Sequence, residues 1–221
     1  MGPWRAPAVN TNTFARESHV DTLAARKGAD PVDFRLDHMT DERHARTLRA
    51  AAKAFGWTAK PAPSGRGVGV ACALYLGTYV ATMAEVAVDR ATGRVRVLRV
   101  VCAQDMGVVV NPDGARQQTE GAITMGLGYA LTEEVRFRGG EVLDHNFDTY
   151  AIPRFSWLPR IETVFIDAPD QPSQGCGEPP IVCMGAVVAN AVFDATGARL
   201  TDLPMTPERV KAALVRVRAH G

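Results

Sequence analysis

The sequence carries no excess of charge of either sign, since 25 basic residues stand against 24 acidic ones for a formal net charge of +1. A chain so balanced projects no field suited to gripping phosphate backbones or anionic lipid, so nucleic acid is not expected as a partner. Cysteine is sparse as well. The four, Cys72, Cys102, Cys176 and Cys183, lie far apart and form no CxxC or Cys/His pair at the spacing of a structural zinc site, so they read as small core residues and no metal ligand is assigned. No apolar run approaches the roughly 20 residues needed to cross a bilayer. The opening "MGPWRAPAVN" has no signal-like apolar region either, and the expectation is a soluble chain without a membrane span. Internal repeats and low-complexity linkers are missing too. An α+β domain is therefore the default, and 221 residues can build its core without disulfides.

What is present is well punctuated. Residues 12–27 place Phe14, Val20, Leu23 and Ala24 near one face at helical spacing, with Asn12 as cap and Gly28 just past the end. A second helix starts at Asp30-Pro31, and a third runs from Asp41 to Phe55 with Gly56 as its stop. From Arg66 the valine-rich "GVGVACALYLGTYVATMAEVAVD" and "RVRVLRVVCAQ" predict strands with a hairpin at "RATG". Arg94 and Arg96 alternate with Val95 and Val97, as in a strand with one wet face. A helix opening at Asn111-Pro112 carries Gly121, Gly126 and Gly128, each weakening it by about 1 kcal/mol relative to alanine. Glycines that costly let a neighbouring helix or a ligand approach the backbone. A short hairpin at Gly139-Gly140, a strand "RIETVFID", a helix from about Pro180 to Thr196 and a last helix capped by Thr206 follow.

Glu178, in "SQGCGEPPIVCMGAVVANAVFDATG", is the residue that most needs an explanation. A charged side chain is rarely placed at the mouth of a buried, almost charge-free element without a partner or a task. Gly177 lets the backbone pass close to a bulky group, and the proline after Glu178 biases the glutamate toward an extended conformation. Pro180 suits the first position of a helix whose leading N–H groups would favour an anion nearby. Two readings are open at this point: a carboxylate that stabilises a helix N-terminus by about 0.3–1 kcal/mol, or one that does chemistry. The pair Glu133-Glu134 reads as the solvated end of a helix. His19, His38, His44, His145 and His220 are scattered and give a histidine-based site no support. A conventional hydrolase is disfavoured, because no second carboxylate, serine or histidine stands in a partner motif.

"GCGEPPIV...GAVVANAVFDATGARLTDLPMTPERV" resembles the C-terminal signature of the molybdenum hydroxylases, the xanthine dehydrogenase and aldehyde oxidase family, and more closely catalytic subunits of the isoquinoline 1-oxidoreductase beta type. Three further blocks are similar to that family in its order: "GPWRAPAVNTNTFARESHVDTLAARKGADPVDFRL", "GTYVATMAEVAVDRATGRVRVLRVVCAQDMGVVVNP" and "QQTEGAITMGLGYALTEE". The resemblance implies an α+β molybdopterin-binding domain, with residues 1–60 as a helical arm and residues 61–221 as the C-terminal half of the domain. It implies that Glu178, in the Gly-Glu-Pro motif, is the base beside molybdenum, a task suited to a partly desolvated carboxylate. Gln118 matches the glutamine that hydrogen-bonds the pterin, an amide able to donate and accept at once. Gly121 and Gly177 give close approach, and Arg5 matches an arginine-bearing loop near the active site. Ala6-Pro7 stands where other branches carry glycine-rich sequence, so for Arg5 a plain surface arginine stays open beside the cofactor role. So does a helix-surface glutamine for Gln118.

The family's catalytic subunits are several times longer and carry a Gly-Gln-Gly loop and a further serine or glycine loop that hold the cofactor; neither block occurs here. The cysteine sets of [2Fe-2S] clusters are absent too, so electrons would pass to another chain. The resemblance thus implies part of a catalytic subunit that binds molybdenum–molybdopterin, in a dinucleotide form. Its partners would be the remaining part of the molybdopterin-binding subunit and an iron–sulfur subunit carrying the [2Fe-2S] clusters. The implied reaction is oxidation of a small aldehyde or N-heterocycle with water as the oxygen source. Relatives of this type work in cytoplasm or periplasm, and the cytoplasm is the expectation here. The alternative is a non-catalytic binding or assembly module, or a truncated remnant, that kept the fold. Either way, apolar surface is expected to be exposed where the absent half would dock.

Overall fold

The computed structural model describes residues 4–58 and 65–220. Three helices lead: α1 (Val9–Lys27), α2 (Pro31–His38) and α3 (Glu42–Phe55). Their ends follow local chemistry. Asp30 accepts from the backbone N–H of Val32 at 2.7 Å to open α2, Asp41 does the same for Arg43 at 2.9 Å to open α3, and Gly28 and Gly56 close α1 and α3 with φ of 67° and 70°. Helix α1 starts earlier than its expected Asn12 cap, because Ala8 takes the left-handed conformation and turns the chain into the helix without a side-chain cap. The 60/61 boundary expected from the sequence lies outside the described residues.

Strands β1 (Arg66–Tyr75), β2 (Thr78–Val88) and β3 (Val95–Asp105) form an antiparallel meander, and β6 (Arg160–Phe165) joins β3 in parallel, giving the order β1-β2-β3-β6. The valine-rich run therefore contains a turn, at Leu76-Gly77, that apolar composition hid. Between β3 and β6 lie α4 (Pro112–Leu131) and the small hairpin β4 (Phe137–Arg138) and β5 (Glu141–Val142), turning at Gly139-Gly140 as expected. The chain ends with α5 (Pro179–Val182), α6 (Met184–Thr196) and α7 (Pro207–His220).

Helices cover both faces of the sheet. On one, Leu48, Ala51 and Phe55 of α3 pack with Val68, Val70, Met83 and Val101; on the other, α6 packs against Ala71, Val80, Ala84 and Val100. This corrects the expectation of a wet face on β3: only its first residues alternate, and Val100–Asp105 are buried throughout. Pro179–Thr196 is apolar and long enough, by composition, to cross a membrane, but 89% of it is buried inside this chain, as a core helix should be. Gly67 and Gly69 let α6 approach that closely, since a Cβ on Gly69 would lie 2.2 Å from the Val187 carbonyl oxygen.

Buried charges tie the layers together. Glu17, 5% exposed, accepts from Arg35 Nε at 3.0 Å and from the Cys72 amide at 2.8 Å, which joins α1, α2 and β1. Asp105, fully buried, is bridged by Arg43 at 2.7 Å and Arg46 at 2.8 Å, joining β3 to α3. Burial pushes the Asp105 carboxyl up, but the hydrogen bonds from Arg43 and Arg46 outweigh it and hold the pKa below the ordinary carboxylate value.

Two outcomes are expected from this architecture. Gly69→Ala forces α6 off the sheet and costs about 1–3 kcal/mol of stability, read from a urea midpoint. The folded pKa of Asp105 is depressed, so its stabilisation is present above about pH 4 and is lost as pH falls through the folded value. Asp105→Asn is therefore expected to destabilise the chain more at pH 7 than at pH 3 in paired denaturant titrations.

Candidate functional site

The loop ahead of α5 is held from two sides. The Gln174 amide donates to the Met106 carbonyl at 2.8 Å, past the end of β3, and Thr78 Oγ1 donates to the Gly175 carbonyl at 2.7 Å, from the β1–β2 turn. Glu178 itself is helical, with φ −100° and ψ −39°, not extended as the following proline suggested. Burial of Pro179 and Pro180 in the core outweighs the pre-proline preference, which is a bias and not a prohibition. Nor does one long helix follow. The four residues of α5 give way at Cys183 to α6, and the Tyr129 hydroxyl spans the break, donating to the Ile181 carbonyl at 3.0 Å and accepting from the Gly185 amide at 2.7 Å. The first two residues of α5 are prolines without N–H groups, and the Ile181 amide donates to the Glu178 carbonyl at 3.1 Å, so the start of the helix offers an anion fewer N–H groups than expected. The Glu178 side chain makes no cap bond to α5.

The carboxylate faces other elements. Its Oε1 accepts from the Ala6 amide at 2.8 Å, and its charge, after burial, helps hold the nearby Tyr75 phenol above its ordinary pKa. Next to it, Arg5 Nε donates to the Gly177 carbonyl at 2.8 Å, with Nη2 sharing the same oxygen. Nη2 also donates to Gln118, at 3.1 Å to Oε1 and 3.3 Å to its carbonyl, and Nη1 lies 3.3 Å from Met125 Sδ. Burial pulls the Arg5 pKa below its ordinary value, against the Glu178 charge that raises it. Arg5, Gln118, Gly177 and Glu178 thus form one hydrogen-bonded cluster, and Gly121 lies on α4 three residues beyond Gln118, on the same face. Gln118 is exposed, and the other four are half-buried.

Several contributors had no sequence signal. The Ala6 amide is invisible to any side-chain motif. Tyr75 and Thr78 look like ordinary strand residues, and Met125 like part of a helix. Among the glycines of α4, structure separates what sequence could not: a Cβ on Gly126 would lie 2.4 Å from Met184 Cγ and one on Gly128 would lie 1.7 Å from Glu133 Oε1, whereas a Cβ on Gly121 would meet nothing within 4 Å. The fold itself uses Gly126 and Gly128, and leaves Gly121 unused. Glu133 is no free helix end, since it accepts from the Tyr150 hydroxyl at 2.7 Å, and Glu134 pairs with Arg209 at 2.8 Å. Cys183 is buried, Cys176 is half-buried, and among the described residues no group of three or more His, Cys, Asp and Glu could hold a metal ion. A surface concavity of about 300 Å³ lies elsewhere, beside Arg43 and Gln171, and another of about 500 Å³ beside Arg90 and Lys211.

The fold is shared with an aldehyde oxidoreductase: 96% of this chain superposes on 41% of the aldehyde oxidoreductase chain from Desulfovibrio desulfuricans, with TM-score 0.82 at 17% identity. Residues 24–159 match the molybdopterin cofactor-binding domain, and the chain belongs to that family. It is 38% identical over 226 residues to a nicotinate dehydrogenase subunit of Pseudomonas putida and 39% identical over 211 residues to the beta subunit of isoquinoline 1-oxidoreductase of Brevundimonas diminuta. These alignments cover 95% and 94% of this chain but 19% and 26% of the relatives, so the chain spans about a fifth to a quarter of their length.

The contrast between the helix glycines is directly measurable. Gly126→Ala is expected to cost the chain about 1–3 kcal/mol through overpacking, whereas Gly121→Ala raises its stability by up to about 1 kcal/mol. Chemical denaturation of the two variants beside the parent chain checks both signs.

Proposed function

We propose that this chain is part of a molybdenum-dependent hydroxylase that oxidises an aldehyde or an N-heterocycle with water as the source of oxygen, and that Glu178 is its base. The observation that carries the reading is the convergence of Arg5, Gln118, Gly177 and Glu178, from three distant segments, on one hydrogen-bonded cluster. The names of the relatives support the substrate class: nicotinate and isoquinoline are N-heterocycles.

The cofactor fits the residues at hand. Gly121 weakens α4 without serving the packing of this chain, as expected of a position where an external group reaches the helix backbone. Beside it, the Gln118 carboxamide can donate and accept toward a pterin. When bound, molybdenum–molybdopterin supplies the two-electron redox chemistry and the Lewis acidity that activates water. The side chains of this chain then have separate tasks. Glu178 takes a proton, and its fixed orientation keeps the carboxylate within hydrogen-bonding reach of that proton. Arg5 holds Gln118 against the Gly177 carbonyl, so the cofactor-facing amide and the base move as one unit.

The rest of the assembly belongs to the same proposal. The cofactor is a dinucleotide form, the remaining cofactor loops come from the rest of the molybdopterin-binding subunit, and electrons leave through [2Fe-2S] clusters on a partner chain. Exposed aromatic residues in the segment after α4 support a docking face for that missing part: Phe137 is 74% exposed, Phe147 70% and Phe155 94%.

Glu178→Gln in the assembled enzyme is the test. Turnover is expected to fall by about 10²–10⁴-fold, with molybdenum content by elemental analysis unchanged. Full turnover in the variant rejects Glu178 as the base.

A further inference from the structure

The N–H that meets Glu178 and the carbonyl of Arg5 are two ends of one planar group, the peptide joining Arg5 to Ala6. Both ends are held. The N–H donates to Glu178 Oε1 at 2.8 Å, and the carbonyl accepts from Asn10 Nδ2 at 2.8 Å. Asn10 stands in the first turn of α1, so its carboxamide reaches back over the bend that leads into the helix, where the Val9 amide donates to the Pro7 carbonyl at 2.8 Å.

The backbone at this bend has a way to relax. Ala6 has φ of 56°, a conformation disfavoured for a residue with a Cβ, and it is relieved when the peptide between Arg5 and Ala6 turns over. That rotation exchanges the directions of N–H and C=O, so the carboxylate would face an oxygen instead of a donor. Glu178 opposes the rotation at one end and Asn10 at the other. A hydrogen bond accepted by the carbonyl also polarises the peptide and makes its N–H the better donor.

Stability does not explain the asparagine. Its Oδ1 is buried with no hydrogen-bond partner among the described residues, and a buried acceptor left unmet costs free energy that an apolar side chain would not. What the carboxamide contributes is the donor on Nδ2, directed at the one carbonyl that shares a peptide with the Ala6 amide.

We propose that Asn10 is a positioning residue for Glu178, holding the Arg5 carbonyl so that the Ala6 amide stays turned toward the carboxylate and fixes its orientation. This rests on the reading of Glu178 as base. A glutamate has three rotatable side-chain bonds, and misplacing a reacting group by an ångström can cost on the order of 100-fold in rate. Asn10 acts on the carboxylate through the peptide between them.

Two variants remove the donor in different ways. Asn10→Ala deletes the carboxamide, while Asn10→Asp keeps its shape and, ionised, has nothing to donate. An acid in the first turn of a helix suits the helix dipole, so the second variant is expected to fold. On the chain, hydrogen exchange of the Ala6 amide is expected to quicken about tenfold in both, while amides of α1 from Phe14 onward keep the parent rates. An Ala6 amide that exchanges at the parent rate in either variant overturns the proposal. In the assembled enzyme, both variants are expected to lower kcat about tenfold with KM within about twofold, the split expected when a catalytic group loses its orientation and binding is untouched. Parent kcat in both, alongside lost turnover in Glu178→Gln, rejects the role of Asn10 and leaves the base in place. Full turnover in Glu178→Gln instead rejects the base assignment, and the proposal with it, whatever the exchange of Ala6 shows.

Discussion

The site depends on one junction, in which residues 5 and 6 meet residues 177 and 178. The Arg5 guanidinium binds the Gly177 carbonyl while the Ala6 amide binds the adjacent carboxylate, so two consecutive residues from one end of the chain grip two consecutive residues from the other. The grip requires an unusual backbone. Ala6 and Ala8 have φ of 56° and 62°, a region that costs a residue with a Cβ about 1–2 kcal/mol. Hydrogen bonds to charged groups are worth about 1.5–3 kcal/mol each, enough to offset that cost, and the burial of Ala6 together with the bond from Asn10 Nδ2 to the Arg5 carbonyl at 2.8 Å holds the turn. Glycine at these positions would relieve the strain but loosen the segment. Alanine keeps the donor where the carboxylate needs it.

A junction of this kind is only as rigid as the elements behind it. Helix α1, which carries residues 5–8 at its start, is fastened to the sheet by the buried Glu17, and near its middle by Asp21, which accepts from Arg199 Nη1 at 2.6 Å. Buried ion pairs add little net stability after desolvation, so their effect here is to fix register between α1, α2, β1 and the loop after α6. On the other side, Gln104 Nε2 donates to Thr119 Oγ1 at 2.7 Å, entirely within the core, and sets α4 against β3 directly beside Gln118. Polar groups buried at this cost specify position more than they stabilise.

How far this was legible in the sequence depended on whether the signal was local. Asp30-Pro31, Asp41 with Gly56, Asn111-Pro112 and Gly139-Gly140 mark their elements because caps and turns are made by neighbours in the chain. The turn at Leu76-Gly77 escaped because its exposed residues, Leu74 and Leu76, are apolar and so do not mark it, and a leucine takes the left-handed position. The conformation of Glu178 escaped for a different reason: a local preference before proline was overridden by packing of the prolines themselves. Glu178, Gln118 and Arg5 were legible as residue types in a family pattern. Their partners Ala6 and Met125 were not, because a backbone amide and a helix methionine acquire meaning only when the fold brings them together.

Arg5 shows how such a cluster changes the meaning of a residue. An arginine beside a cofactor suggests a cation waiting for phosphate, yet Nε and Nη2 are already committed to the Gly177 carbonyl and to Gln118, and Nη1 rests on the weakly accepting sulfur of Met125. Its charge is also opposed by Glu178 close by. A planar guanidinium can reach a carbonyl with two nitrogens and a carboxamide with one of them, because its donors lie in a fixed fork; an ammonium offers no such fork. Arg5 is therefore a clamp within the chain. Apart from the Glu178 carboxylate, the groups of the cluster left to meet anything from outside are neutral, the Gln118 carboxamide and the bare backbone at Gly121, and that part of the surface selects by shape and hydrogen bonding instead of by charge.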